Sequence, residues 1–325
     1  MKRFLIVGTV LILAIAGLVW SGIRLGDIAR AVALVGWGIL LAILVRYALT
    51  LMLAYSSWVI MPRDQRPKFH QSAAIRIVRD TVNTLLPTTQ IGGDIVAARL
   101  MTFCGLTAPM AAAGVVVDLF LQVVTQFIFT LGGTLLLLQL GADPSIIRTV
   151  VTGLLIAVPL LVAFYFIQRM GFGALLVTAL KKLAGGKEWT AFAATDAFYA
   201  ALARIRERRQ AMLVSAATHL AAWIVGCAEV YVIFGFMGHP VTWAEALVIE
   251  SIGQAVRGAA FAVPGAIGVQ EGAFVLLCGG FGIPAEAALA LSLIKRIADV
   301  AIGLPGFWFW YRFEGGSKES PARSL

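Results

Sequence analysis

Residues Ala108–Leu140 read APMAAAGVVVDLFLQVVTQFIFTLGGTLLLLQL, 33 residues whose one charge is Asp118. The hydrocarbon core of a bilayer is about 30 Å thick, and about 20 apolar residues in a helix cross it. The run is therefore long enough to span with turns to spare. Similar runs occur at Phe4–Gly22, Val32–Met61, Ile146–Ile167, Ala211–Met237 and Ala285–Tyr311, which predicts six spans. The whole chain agrees: 325 residues, 60% apolar and 13% charged, with a mean hydropathy of +0.90. Soluble domains are about 45–50% apolar and about 25% charged. A soluble enzyme and a disordered protein are both excluded. The runs lack the two-residue alternation of barrel strands, so the expected fold is an all-α integral membrane protein. Residues 1–325 are expected to form a single membrane domain.

Two segments do not fit a plain count of spans. Residues 72–105 and 243–280 are apolar enough to enter a membrane, yet both are interrupted. The first contains Leu86-Pro87-Thr88-Thr89-Gln90-Ile91-Gly92-Gly93-Asp94 and the second Val263-Pro264-Gly265-Ala266-Ile267-Gly268-Val269-Gln270-Glu271. Proline removes a donor N–H and disrupts the preceding turn, and glycine frees the backbone further. The expected breaks are Pro87, Gly92, Gly93, Pro264, Gly265 and Gly268. Non-helical backbone survives at membrane depth only against protein or a wet cavity. Both segments are thus predicted to be re-entrant helical hairpins, with pairs of full spans as the alternative.

Charge orients the chain. Lys2 and Arg3 favour a cytoplasmic N-terminus, and the apolar run behind them reads as a retained first helix rather than a cleaved signal. Arg63, Arg66 and Lys68 fall inside after two spans. The segment 168–210 carries eight Lys or Arg against three acids and falls inside too. Parity then makes segment 72–105 enter from the cytoplasm and segment 243–280 from outside, with the C-terminus cytoplasmic. Within 168–210, Phe192, Phe198, Tyr199 and Leu202 share one face ahead of Arg204, Arg206, Arg208 and Arg209. That pattern suits an interfacial helix on anionic lipid, or a solvated connector.

The two broken segments match each other. Pro87 and Asp94 lie 177 residues before Pro264 and Glu271, and the same offset carries Asp118 onto Lys295. With opposite entry sides, this predicts an inverted repeat of the kind that surrounds substrate sites in transporters.

A charge at the centre of a membrane helix costs about 2.5–3.5 kcal/mol even on the lenient scale. Arg46, Arg76, Arg79, Asp80, Asp94, Arg99, Asp118, Glu229, Glu250, Arg257, Glu271, Lys295, Arg296 and Asp299 all lie in spans or hairpins. Arg46, Arg79, Asp94, Arg99, Asp118, Arg257, Glu271, Lys295, Arg296 and Asp299 are the candidate substrate-binding residues. One reading is mutual neutralisation, Asp118 with Arg79 or Arg99 and Lys295 with Asp299, and helix capping by Asp94 and Glu271. The other is a polar cavity in which basic side chains receive an anionic headgroup while the acids cap, gate or exchange protons. His219, in the span Ala211–Met237, reads as hydrogen-bonded packing. Cys104, Cys227 and Cys278 are scattered in apolar settings and read as small buried hydrophobes.

No phosphate loop, Rossmann fingerprint or H-E-x-x-H pair is present, and no basic tract suits nucleic acid. No cofactor, metal or nucleic-acid partner is expected. The segments Val82–Asp94, Ala97–Arg99, Val115–Asp118 and Val263–Gly272 resemble the lysylphosphatidylglycerol synthase transmembrane (flippase-like) family. Within it, the chain resembles most the hopanoid-biosynthesis-associated HpnL membrane proteins. The resemblance implies a lipid-translocating fold in a bacterial inner membrane, with a membrane lipid as partner. Bifunctional relatives carry an aminoacyl-transferase domain after the membrane part. This sequence ends at Leu325, so lipid aminoacylation is not expected, and a flippase-like transporter rather than an enzyme is the leading expectation. The alternatives are an intramembrane lipid-modifying enzyme with Asp94 and Glu271 as acid and base, and a subunit that binds lipid-biosynthesis proteins. A homo-oligomer is compatible with each.

Overall fold

The computed structural model describes residues 25–86, 91–141, most of 144–156, residue 159, and residues 191–260, 263 and 266–318. The expected first span, Phe4–Gly22, and most of the span Ile146–Ile167 lie outside them, as do Pro87, Pro264 and Gly265. The described residues are helical, with no strand among them. The principal helices are α1 (Leu25–Val35), α2 (Gly38–Val59), α3 (Phe69–Leu85), α4 (Gly92–Phe103) and α5 (Ala108–Gln139). They are followed by α6 (Ala191–Arg206), α7 (Arg209–Phe236), α8 (Trp243–Ala259), α9 (Val269–Gly280) and α10 (Ala285–Lys318). Among the described residues, α2, α5 and α7 are long and apolar enough to cross a membrane. Helix α10 has the length, but Lys295, Arg296 and Asp299 crowd its middle.

Local sequence sets the boundaries. The expected span Val32–Met61 is divided, because Gly36 takes φ +48° and turns the chain between α1 and α2. Thr107 caps α5 by accepting the Met110 N–H at 3.4 Å, with Pro109 in the first turn, where its missing donor costs nothing. Thr242 caps α8 through Glu245, whose carboxylate returns to the Thr242 N–H at 2.7 Å. Gly268 takes φ +85° just before α9, so it belongs to that break. Gly92 and Gly93 are the first two residues of α4. Gly93 serves close packing. A Cβ there would lie 2.2 Å from the Arg79 carbonyl oxygen of α3.

The offset of 177 residues reappears in the helices. It carries both ends of α4 onto both ends of α9, the start of α5 onto the start of α10, and the end of α2 onto the end of α7. Packing follows the same exchange. Helix α3 packs on α10 as α8 packs on α5; α3 on α4 as α8 on α9; α2 on α3 as α7 on α8. Likewise α4 packs on α5 as α9 on α10, α7 on α5 as α2 on α10, and α6 on α5 as α1 on α10. The α2–α7 contact is shared by both halves. Each half has its own apolar core: one around Ile75, Val78, Leu100 and Val116, the other around Ile233, Ile249, Phe274 and Leu291.

Small residues let the halves approach. A Cβ on Gly306 of α10 would lie 1.9 Å from the Thr81 hydroxyl of α3, and one on Gly133 of α5 would lie 1.8 Å from the Ser251 hydroxyl of α8. Such residues drive helix contact where lipid supplies no hydrophobic force. The apolar face of α6 (Phe198, Leu202 and Ile205) is buried in the protein against α5 rather than turned to lipid. Arg208, at the turn into α7, and Arg66 donate to the carbonyls of Val59 and Met61, which end α2. Arg204 bonds Asp64 at 2.8 Å and holds that exposed carboxyl below its ordinary value.

Gly133→Val is therefore expected to destabilise by about 1–3 kcal/mol through overpacking. Gly132→Val, whose position faces open space, is the control. Thermal unfolding in detergent should show a fall of several degrees for the first variant and little change for the second.

Candidate functional site

Each half holds a buried ionic network, and at the equivalent positions 118 and 295 the two carry opposite charges. In the first, Arg79 of α3 lies between two acids. Its Nε is 2.6 Å from Asp94 of α4, and its Nη1 donates to Asp118 of α5 at 2.5 Å. Arg76, one turn earlier, lies 3.1 Å from Asp80 and 3.6 Å from Asp118. The second oxygen of Asp118 meets Nε2 of His219 on α7 at 3.1 Å. Arg76, Arg79, Asp94, Asp118 and His219 are all buried.

In the second network the basic residue is on the long helix. Lys295 of α10 donates to Glu229 of α7 at 3.0 Å and to Glu250 of α8 at 2.8 Å. Arg46 of α2 grips both oxygens of Glu229, at 3.0 and 2.8 Å. Asp299, one turn after Lys295, lies 3.6 Å from Arg46 and 3.5 Å from Arg257 of α8. The repeat thus sets Asp118 against arginines of α3 and Lys295, its equivalent, against a glutamate of α8.

A polar face of α5 joins the networks. Gln122 accepts from Arg79 at 3.5 Å. One turn on, Gln126 donates to Thr130 at 3.0 Å and to the Ser251 carbonyl of α8 at 3.4 Å. Trp223 of α7 donates to Thr125 at 3.2 Å. Beside Ser251, Gln254 donates to Glu250 at 2.8 Å, which reaches the second network.

Three candidates, Glu271, Arg296 and Arg99, stand apart. Glu271, third residue of α9, accepts from the Gly268 N–H at 2.7 Å and caps that half-helix. Its other oxygen takes Ser292 at 2.8 Å and Arg296 at 2.6 Å. Asp94 occupies the equivalent third position of α4 but turns to Arg79; there the side chain of Asn83 accepts from the Gly93 N–H at 2.7 Å. Arg99 lies near the end of α4, half-exposed, pairing with Glu314 at 3.0 Å and stacking over Phe103. It does not join the networks through these contacts.

The structure therefore unites Arg79, Asp94 and Asp118 in one network and Arg46, Arg257, Lys295 and Asp299 in the other. It adds Arg76, His219, Glu229 and Glu250, which the candidate set omits. Their signal is the one used for the others, charge or polarity inside an apolar helix. Lys295 does not neutralise Asp299, one turn away; it pairs with acids of two other helices. No group of three or more metal-ligating side chains occurs among the described residues. Cys227 and Cys278 are buried free thiols, and Cys104 is half-buried.

Removing one partner of a buried ion pair costs about 3–5 kcal/mol, because the other charge is stranded. Lys295→Met should destabilise by about that amount. Adding Glu250→Gln, which leaves Arg46 with Glu229 and Arg257 with Asp299, should recover much of it. The denaturation midpoint in detergent measures both.

A family model described as the lysylphosphatidylglycerol synthase TM region matches residues 5–306. No curated protein and no solved structure matches the chain.

Proposed function

We propose that this chain, which belongs to the lysylphosphatidylglycerol synthase transmembrane family, moves a polar or anionic lipid between the leaflets of a bacterial inner membrane. The carrying observation is the pair of buried ionic networks, one in each half, joined by the polar face of α5. In hydrocarbon such charges are expensive and mark a path for something polar.

The mechanism follows from what each pair needs. Separating Arg79 from Asp118 takes away one of the two acids that hold a buried guanidinium, and an anionic headgroup supplies the missing charge. Separating Lys295 from Glu250 takes away one of the ammonium's two acids, and another acidic group of the cargo replaces it. Only a headgroup that replaces the lost partner opens the seam cheaply. The tails stay in lipid, outside the bundle. Helices α4 and α9 have 12 residues each, about 18 Å at 1.5 Å per residue, too short to cross about 30 Å of hydrocarbon. We read α3–α4 and α8–α9 as re-entrant hairpins of an inverted repeat. Their swing, carrying Asp94 and Glu271, alternately exposes the networks to the two faces.

The competing reading, an enzyme with Asp94 and Glu271 as acid and base, needs both carboxylates at one reacting atom. Here each is tied to a different arginine, Arg79 and Arg296, which supports transport instead. A hopanoid-related cargo follows from the resemblance to HpnL proteins and is one arm of the test.

The test is transbilayer movement of labelled lipids in proteoliposomes, over anionic, zwitterionic and hopanoid headgroups. Wild type should move a headgroup-selective subset. Glu271→Gln should reduce the initial rate at least tenfold while remaining folded. Movement of no lipid by folded wild type overturns the reading.

A further inference from the structure

We propose that His219 is a proton-binding site of the first network, and that the proton it takes up travels with the anionic headgroup as the coupling ion. The inference rests on the transport reading above and adds to it the ion that drives it.

Charge balance is the first observation. The second network is balanced: Arg46, Arg257 and Lys295 face Glu229, Glu250 and Asp299. The first is not. Arg76 and Arg79 face Asp80, Asp94 and Asp118, which leaves one negative charge in excess. Protonated His219 removes that excess, and neutral His219 leaves it. An anionic headgroup that takes the place of Asp118 on Arg79 leaves Asp118 buried without that guanidinium, so a proton on His219 offsets the entry of the cargo.

The two ring nitrogens supply the second observation. His219 is fully buried. Its Nε2 is held by Asp118 at 3.1 Å, while its Nδ1 is buried and meets no hydrogen-bond partner among the described residues. Buried polar atoms are nearly always satisfied, and an exception calls for an explanation. With Nε2–H donating to Asp118 in both states, Nδ1 is the atom where a proton arrives and leaves. Its arrival turns imidazole into imidazolium and changes no other bond.

The surroundings isolate the site. From α5 it is faced by Asp118, and behind Asp118 stand Arg76 and Arg79 of α3, with Asp80 and Asp94 beyond them. The charges that α2, α8 and α10 bring to α7, namely Arg46, Glu250 and Lys295, gather around Glu229. Glu229 lies ten residues along α7, about 15 Å away at helical rise.

The test has two arms. The first needs no transport. His70 and His239 are exposed, so ¹⁵N-histidine NMR of the His70→Gln, His239→Gln protein reports His219 alone. The ring nitrogens should change from the charged to the neutral pattern as the pH is raised, and Asp118→Asn should displace that change. A ring that keeps one pattern throughout overturns the proposal. The second arm applies a pH gradient to proteoliposomes carrying the headgroup panel. The initial rate should change at least fivefold in wild type, and His219→Gln should lose the response. Lipid movement indifferent to the gradient overturns the coupling and leaves transport standing. A titrating His219 with no movement of any lipid supports the proton site and overturns transport.

Discussion

Everything in this bundle depends on one constraint: a charge removed from water must meet an opposite charge. The desolvation of an isolated ion exceeds what any single helix packing contact returns. Helices α2, α3, α4, α5, α7, α8 and α10 each carry at least one member of the two networks. Their relative positions are thus set by electrostatics as much as by apolar packing. Replacing the networks with hydrophobes of similar volume would cost little stability. Their retention fits a path for a polar cargo better than a device for holding helices together.

The repeat gives that constraint its form. The same helix plan occurs twice, and the two copies interlock, α3 against α10 and α8 against α5. Glycines at both crossings bring the backbones close enough for side chains of one half to complete the network of the other. His219 of the second half meets Asp118 of the first, and Arg46 of the first meets Glu229 of the second. Neither half is electrostatically complete without its counterpart.

The elements of this arrangement differ in how visible they are in the sequence. Helices α5 and α7 are legible because an uninterrupted apolar run has one low-energy form in lipid. The ends of α3 and α8 and the starts of α4 and α9 fall beside the sequence's proline and glycine clusters, although Gly93 serves close packing. The division of Val32–Met61 at Gly36 is hidden, since a single glycine inside an apolar run is ordinary. That the charges in membrane helices matter is legible; their partners are not. Arg46 and Glu229 are 183 residues apart, and nothing in the spacing links them. The local guess, Lys295 with Asp299, loses to acids from α7 and α8 that reach the ammonium at hydrogen-bond distance. Likewise His219 reads as packing until Asp118 is placed beside it.

Helix α7 carries a member of each network, His219 and Glu229, on one unbroken stretch of backbone. A helix does not stretch, so the two positions shift together or not at all. A slide of one turn, about 5.4 Å, would take both residues out of register in a single event. The helix works as a common shaft with two cams: what loosens a lock at one end loosens the lock at the other. A half-opened molecule, with one network broken and the other intact, is mechanically disfavoured. On the transport reading, the two networks open and close together, and a polar leak through half of the bundle has no stable state in which to form.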